Sequence, residues 1–131
     1  MSKITHFKIM RDIGLLMLRL GFGGAMIWGH GYMKLMNVIS GKMEFMDPIG
    51  IGEAPTLILA TIAELVCSIL IIIGFKTRIA TIPLILTMFV AAFVVHATDA
   101  FGGSKEIAIV YLIGFVSIAL TGAGKYSIDR A

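Results

Sequence analysis

Four long apolar stretches make up most of the chain, and ionisable residues interrupt them. Arg19 and His30 lie in the first stretch, Glu64 in the second and His96 in the third, while Glu106 opens the fourth. A charge at the middle of a bilayer costs about 2.5–3.5 kcal/mol on insertion scales, so such residues are expected to face one another rather than lipid. The pattern predicts a helical membrane bundle with a polar interior.

The composition argues against a water-soluble domain. Hydrophobic residues make up 58% of the 131 residues and charged residues only 15%, whereas about a quarter of a typical soluble domain is charged. The basic residues behind the net charge of +3 lie mostly at predicted helix ends, which favours a role in membrane orientation over nucleic-acid binding. We therefore expect one integral membrane domain over residues 1–131, with the lipid bilayer as its surroundings.

The hydropathy pattern predicts an all-α, four-transmembrane-helix bundle with spans at about residues 13–35, 55–75, 79–97 and 105–121. The first span is too long for a signal-peptide core, so we interpret it as a retained helix. Basic residues cluster at the amino terminus, the 76–78 turn and the carboxyl tail, and this bias predicts that both termini are cytoplasmic. The longer, partly apolar connection over residues 36–54 would then be extracytoplasmic, either half-buried at the bundle mouth or folded as a short amphipathic helix.

Arg19 and Glu64 are predicted to form a buried ion pair. At a rise of about 1.5 Å per residue, Arg19 would lie roughly 10 Å into the membrane from the cytoplasmic side. Glu64 is near the middle of the second span, within reach of a long side chain on a neighbouring helix. A guanidinium bonded to a carboxylate through two hydrogen bonds satisfies both charges, so the expected role of the pair is to hold the first two helices together.

A second polar group is expected near the outer face. His30 lies three helical turns beyond Arg19 on the same face of the first span, and the glycine on either side of it favours a loosened helix there. His96 ends the third span and Glu106 begins the fourth, so both are expected at a similar depth. Lys34 lies near the outer end of the first span, where it would extend outward or pair with an acid. The candidate ligand-binding residues are therefore His30, His96, Glu106 and Lys34.

The chemistry of this outer group leaves three interpretations open. Histidines and a carboxylate can hydrogen-bond a small molecule such as a quinone or relay a proton, because histidine titrates near neutral pH. The same residue types bind zinc, copper or iron, but here they come from separate helices without an HxxxH or ExxH pair, so no metal is assigned. The third interpretation is structural, with packed histidines and Glu106 as a helix N-terminal acid favoured by the helix dipole.

Several short motifs follow one another along nearly the whole chain: Leu18-Arg19-Leu20, His30-Gly31-Tyr32-Met33-Lys34-Leu35, Ala63-Glu64-Leu65, Gly74-Phe75-Lys76-Thr77-Arg78 and Gly122-Ala123-Gly124-Lys125-Tyr126-Ser127-Ile128-Asp129. In this order and spacing, with His96 and Glu106 between them, they resemble the DoxX family of small bacterial integral membrane proteins. The resemblance implies a four-helix, multi-pass protein of the bacterial inner (cytoplasmic) membrane. It also implies a link to redox chemistry, because relatives are associated with quinone-linked thiosulfate oxidation or with redox stress.

From this resemblance we expect a DoxX-like protein that is accessory to, or a subunit of, a quinone-linked redox or redox-stress system. It would bind a small amphipathic ligand near the outer leaflet, with a quinone as the candidate cofactor, and have a protein partner or a second copy in the membrane. The chain lacks paired cysteines and any flavin or dinucleotide motif, so it would at most be a quinone-linked oxidoreductase subunit. The alternative is a non-catalytic scaffold or assembly subunit whose buried charges only fix helix packing. A proton or solute pathway is less favoured, because the chain has no inverted repeat.

Overall fold

The structure is a computed structural model that describes residues 2–130. In that range it is helical with no β-strand, and its four long helices are α1 (Lys3–Ile39), α2 (Glu53–Ile73), α3 (Thr77–Val95) and α4 (Gly103–Thr121). Each is long and apolar enough to cross a membrane, since about 20 residues span a hydrocarbon core of ~30 Å. The predicted all-α class with four membrane-spanning helices is confirmed.

The first helix is longer than the span predicted for it. It begins at Lys3, where the Ser2 hydroxyl accepts a hydrogen bond from the Thr5 amide at 3.1 Å and caps the first turn. Its 37 residues measure about 55 Å at 1.5 Å per residue. The basic amino-terminal turns are exposed and continue the helix beyond the part of α1 that packs in the bundle.

The connections define two sides of the bundle. The termini side carries both chain ends and the tight turn at residues 74–76, where Gly74 has a left-handed φ of 71° and ends α2. The loop side carries the connections at residues 40–52 and 96–102. That the termini side is cytoplasmic stays a prediction.

The long connection folds over the loop side without forming a helix. The Asp47 carboxylate accepts hydrogen bonds from the Ile51 and Gly52 amides at 2.9 and 3.0 Å, which close the chain into a turn before α2. Its apolar side chains between Phe45 and Ile51 line the interior of the bundle mouth. Of the two arrangements predicted for this segment, the amphipathic helix is not observed at residues 40–52. The segment lines the cavity mouth but is less buried than predicted, since Met46, Ile49 and Ile51 are 49%, 58% and 44% exposed.

The four helices pack as a ring, in which α1 contacts α2 and α4, and α3 closes the bundle between them. All four contribute to the buried apolar core: Met26, Cys67, Ile71, Leu84, Met88, Phe115 and Ile118. The α1–α2 contact is close at Gly23, where a Cβ atom would lie 2.7 Å from Ile72 Cγ1 and 3.1 Å from the Ser68 carbonyl oxygen. Such small residues let helices approach one another where lipid removes the apolar driving force.

Three of the helices contain a π-helical turn. These turns are Ile27–Gly31 in α1, Ile62–Cys67 in α2 and Ala91–Val95 in α3. A π-helical turn holds an extra residue compared with an α-helical turn, so it redirects the side chains that follow, and it occurs frequently at functional sites. The turn in α1 includes His30 and its flanking glycines, where a loosened helix was predicted, and the turn in α2 includes Glu64.

Candidate functional site

A cavity of about 660 Å³ lies among the four helices on the loop side of the bundle. Most of its wall is aliphatic or aromatic. Five residues with ionisable or phenolic side chains contribute to the wall: His30, Lys34, Glu64, His96 and Tyr111. This volume is in the range of small-molecule sites, about 300–1,000 Å³, which are typically apolar with a few convergent polar groups.

All three π-helical turns border this cavity. His30 comes from the turn in α1, Ile62, Ala63 and Glu64 come from the turn in α2, and Ala91 comes from the turn in α3. The departures from α-helical geometry are thus concentrated around one cavity, where they set the direction of its polar side chains.

An ion pair between Lys34 and Glu64 is the most buried charged feature of the cavity. The Lys34 Nζ lies 2.8 Å from Glu64 Oε2, and the two side chains are 19% and 4% exposed. The Phe45 ring lies 5.9 Å from the ammonium and adds a cation–π contact. Lys34 is the one group among residues 2–130 that supplies a donor to this carboxylate. The carboxylate is therefore neutralised by Lys34 while keeping hydrogen-bonding capacity on the cavity side.

His30 and Tyr111 form an aromatic pair beside the ion pair. Their rings pack edge to face, with centroids 5.5 Å apart and planes at 90°. Tyr111 also stacks on Phe115 and contacts the edge of Phe22, both at about 6 Å between centroids. These contacts fix the orientation of two aromatic rings that carry polar groups on the cavity wall.

The predicted ion pair between Arg19 and Glu64 is wrong. Arg19 is 1% exposed, and its guanidinium donates only to backbone carbonyls in the described chain: Ala123 at 2.9 Å, Ile71 at 3.3 Å, Ile72 at 2.8 Å, and Tyr126. The carbonyls at the end of α2 carry the negative end of the helix dipole, so they attract a cation. Glu64 lies seven residues before Ile71, about 10 Å nearer the loop side, and pairs with Lys34 instead.

The carboxyl tail completes this termini-side network. Asp129 accepts hydrogen bonds from the Lys76 amide at 2.8 Å, and from the Thr77 amide and hydroxyl at 2.9 and 2.8 Å, which cap the start of α3. The backbone hydrogen bond from Thr77 is the main cause that lowers the pKa of Asp129, and the Arg19 charge acts in the same direction. Arg19 and Asp129 thus hold the tail against the ends of two helices.

The structure separates the four predicted ligand-binding residues into two hollows. His30, Lys34 and His96 all line the central cavity. The His96 Nδ1 lies 2.7 Å from Asp99 Oδ2 in the connection to α4. Glu106 does not line this cavity but faces a neighbouring groove of about 750 Å³ between α1 and α4, whose wall also includes His30.

Sequence reasoning missed Tyr111 and gave Glu64 the wrong partner. A tyrosine inside an apolar span was a usable signal, because tyrosine in membrane proteins is enriched at the two interfaces rather than at the centre. For Glu64 the order of residues gave the depth but not the direction in which the side chain leaves the helix.

Among the described residues, no three His, Cys, Asp or Glu side chains are arranged to hold a metal ion.

Comparison with known proteins identifies the family. The model of the DoxX family matches residues 14–97. The chain belongs to the DoxX family. The match confirms the resemblance seen in the motifs. The matched residues include Arg19, His30, Lys34, Glu64 and His96. This DoxX protein is also similar to a Bacillus subtilis (strain 168) protein named "Putative oxidoreductase CatD", with 30% identity over 118 residues that cover 90% of this chain and 86% of that protein. No solved structure matches the chain.

Proposed function

We propose that this DoxX protein binds a quinone-type ring in the central cavity and serves as an accessory or subunit of a redox system in the bacterial inner membrane. The observation that carries the proposal is the cavity itself, an apolar hollow among membrane-spanning helices with an ion pair, two imidazoles and a phenol on its wall. Quinones match both features of the wall, its polar side chains and its apolar surface. Their ring oxygens form hydrogen bonds, while their tails are apolar.

The cavity walls support separate places for the ring and the tail. Lys34, with three ammonium donors, would donate to a ring oxygen, and the rings of His30 and Tyr111 would lie beside the ligand ring. The apolar remainder of the wall, from α2 and α3, would contact the tail: Leu59, Ile62, Leu86 and Val90. His96 would contact the ligand from the loop-side rim, and Glu106 would act from the neighbouring groove.

The name of the CatD relative supports a redox role, because that protein is called an oxidoreductase. This chain has one cysteine and therefore cannot form an internal disulfide as an electron store. A bound quinone would supply the two-electron chemistry that the side chains do not, and a protein partner or second copy would supply or remove the electrons. The outer-leaflet position of the site follows if the termini side is cytoplasmic.

Co-purification tests the proposal. Wild-type protein, extracted in mild detergent from a quinone-containing bacterial membrane, should carry a stoichiometric quinone and should melt at a higher temperature when a short-chain benzoquinone is added. His30→Ala should bind that benzoquinone several-fold more weakly, since it loses a hydrogen-bonding ring on the wall. His6→Ala is the matched control, because His6 is exposed on the first turns of α1. Wild-type protein that carries no quinone and does not respond to benzoquinone would contradict the proposal and favour a scaffold.

A further inference from the structure

Glu64 has hydrogen-bonding capacity that the protein leaves unused. The residue is 3% exposed and lines the cavity. An ionised carboxylate accepts at about four lone-pair positions, yet its one donor among the described residues is the Lys34 ammonium, 2.8 Å from Oε2. A ligand hydroxyl or N–H group that fills one of the remaining positions therefore forms a charge-assisted hydrogen bond with the carboxylate.

The two cavity threonines whose hydroxyls could serve as donors already use them elsewhere. Thr56 Oγ1 donates to the Gly52 carbonyl at 2.7 Å, and Thr87 Oγ1 donates to the Pro83 carbonyl at 2.7 Å. Both bonds run back to the preceding turn of the same helix, which directs these hydroxyl hydrogens away from Glu64. The other cavity side chains that carry donors, His30, Ser104 and Tyr111, also make no hydrogen bond to Glu64 among the described residues. The free acceptor positions of the carboxylate are thus left for a hydroxyl or N–H group on the ligand.

We propose that the site selects the reduced, hydroxylated form of its ring ligand, a quinol, over the oxidised quinone. This inference rests on the proposed function and adds the redox state that the site prefers. One ring hydroxyl of a quinol donates to the Glu64 carboxylate, while a ring oxygen accepts from the Lys34 ammonium. A quinone presents only carbonyl acceptors, so its oxygen would meet the negative carboxylate without a proton between them. Glu64 is therefore a ligand-binding residue and not only a helix contact.

A ligand series on the wild-type protein tests this selection. The probes are a short-chain p-benzoquinol, the matching p-benzoquinone, and the dimethyl ether of the quinol, bound under anaerobic conditions to protein in detergent. The ether keeps the ring and both oxygens but has no donor. Because hydrogen bonds to charged groups are strong, we expect the quinol to bind about tenfold or more tightly than either of the others.

The outcomes separate this inference from the proposed function. If none of the three probes binds, the proposed function fails. If the quinone or the dimethyl ether binds as tightly as the quinol, the cavity takes a ring ligand but the selection by Glu64 is overturned.

Variants test whether Glu64 is the acceptor. Lys34→Met/Glu64→Met removes both charges together and replaces them with apolar side chains, a change that leaves other buried ion pairs neutral or more stable. We expect the ratio of quinol to quinone affinity to fall to within about twofold in this variant, because only the ionic acceptor distinguishes the two probes strongly. Glu44→Gln is the matched control, since Glu44 is exposed and does not line the central cavity, and it should keep the wild-type ratio. A double variant that keeps the wild-type ratio would overturn the assignment.

Discussion

Arg19 and Glu64 are both buried charges in membrane-spanning helices, and their surroundings differ in one physical respect. The guanidinium of Arg19 is surrounded by backbone carbonyls of α2 and the tail, which use its donors on all three nitrogens. The carboxylate of Glu64 has one cation on one side and a cavity on the other. A buried charge at membrane depth is a functional-site candidate by default, and this comparison shows how to divide such residues. Pairing of four of the five guanidinium donors with backbone groups indicates structure, whereas unused acceptor capacity on a cavity wall indicates a site for a ligand.

The largest expected effect is at Arg19. Replacing it with methionine removes four hydrogen bonds, worth about 0.6–1 kcal/mol each in membrane proteins, so we expect a loss of about 2–4 kcal/mol in the free energy of unfolding. Lys8→Met is the control, because Lys8 is exposed on the same helix and should change stability by less than about 0.5 kcal/mol. Thermal or denaturant unfolding in detergent measures both. Equal stability of Arg19→Met and wild type would contradict the structural role assigned to Arg19.

The ion pair of the cavity should show a smaller and reversible effect. Glu64→Met leaves the Lys34 ammonium without its counter-charge, which we expect to destabilise the protein by about 1–3 kcal/mol. The long lysine side chain can partly relieve this by extending toward water. Adding Lys34→Met to Glu64→Met should restore most of the loss, because no unpaired charge remains. A double-mutant cycle of unfolding free energies gives the coupling directly, and purely additive losses would contradict the pairing.

The packing behind the cavity wall can be probed at Gly114. A Cβ there would overlap the Phe22 ring, and Phe22 in turn contacts Tyr111 on the cavity wall. Gly114→Ala should therefore cost about 1–2 kcal/mol from overpacking and also weaken benzoquinol binding. Gly21→Ala is the matched control, since a Cβ at Gly21 meets nothing within 4 Å. Unfolding and binding titrations on both variants test whether packing at Gly114 supports the cavity wall. Identical stability and binding in the two variants would contradict this.

The smallest expected effect is a pH dependence at Asp129. Its hydrogen bonds, first the one from the Thr77 amide, lower its pKa in the folded protein. A lowered folded pKa means that this stabilisation is present above the unfolded value, about 4, and is lost as the pH falls through the folded value. Asp129→Asn should cost up to about 1 kcal/mol at neutral pH, as for the loss of a helix cap. The difference from wild type should shrink toward zero below about pH 4 in unfolding measurements, with Glu44→Gln as an exposed control. A difference that grows with acidity would contradict the sign.

Hydropathy was enough to predict the helices but not the groups that pair with their buried charges. Apolar length fixed the number of spans, and motif order indicated the family. The sequence placed Arg19 at a depth where a charge needs a partner, but it contains no direct signal for backbone carbonyls as that partner. Those carbonyls become available only because Gly74 ends α2 and the tail folds back over it.

The candidate site was predictable only in part, because local helix geometry decides which side chains face the cavity. His30, Lys34 and His96 were predicted as ligand-binding candidates, and the structure places all three on one cavity wall. Glu64 and Tyr111 join them because of local geometry. The π-helical turn in α2 sets the direction of Glu64, and aromatic packing against Phe115 and Phe22 sets Tyr111. Periodicity based on 3.6 residues per turn cannot anticipate a π-helical turn, so the faces it predicts shift beyond such a turn.

The most direct test of the comparison is the melting temperature of two variants with and without the short-chain benzoquinol. Arg19→Lys keeps the charge but loses the planar set of donors, so the account predicts a lower melting temperature and a full ligand-induced rise. Lys34→Met/Glu64→Met is predicted to melt near the wild-type temperature and to show little or no rise. The opposite result, in which the arginine variant loses the rise and the double variant keeps it in full, would contradict the assignment of structure to Arg19 and ligand binding to Glu64.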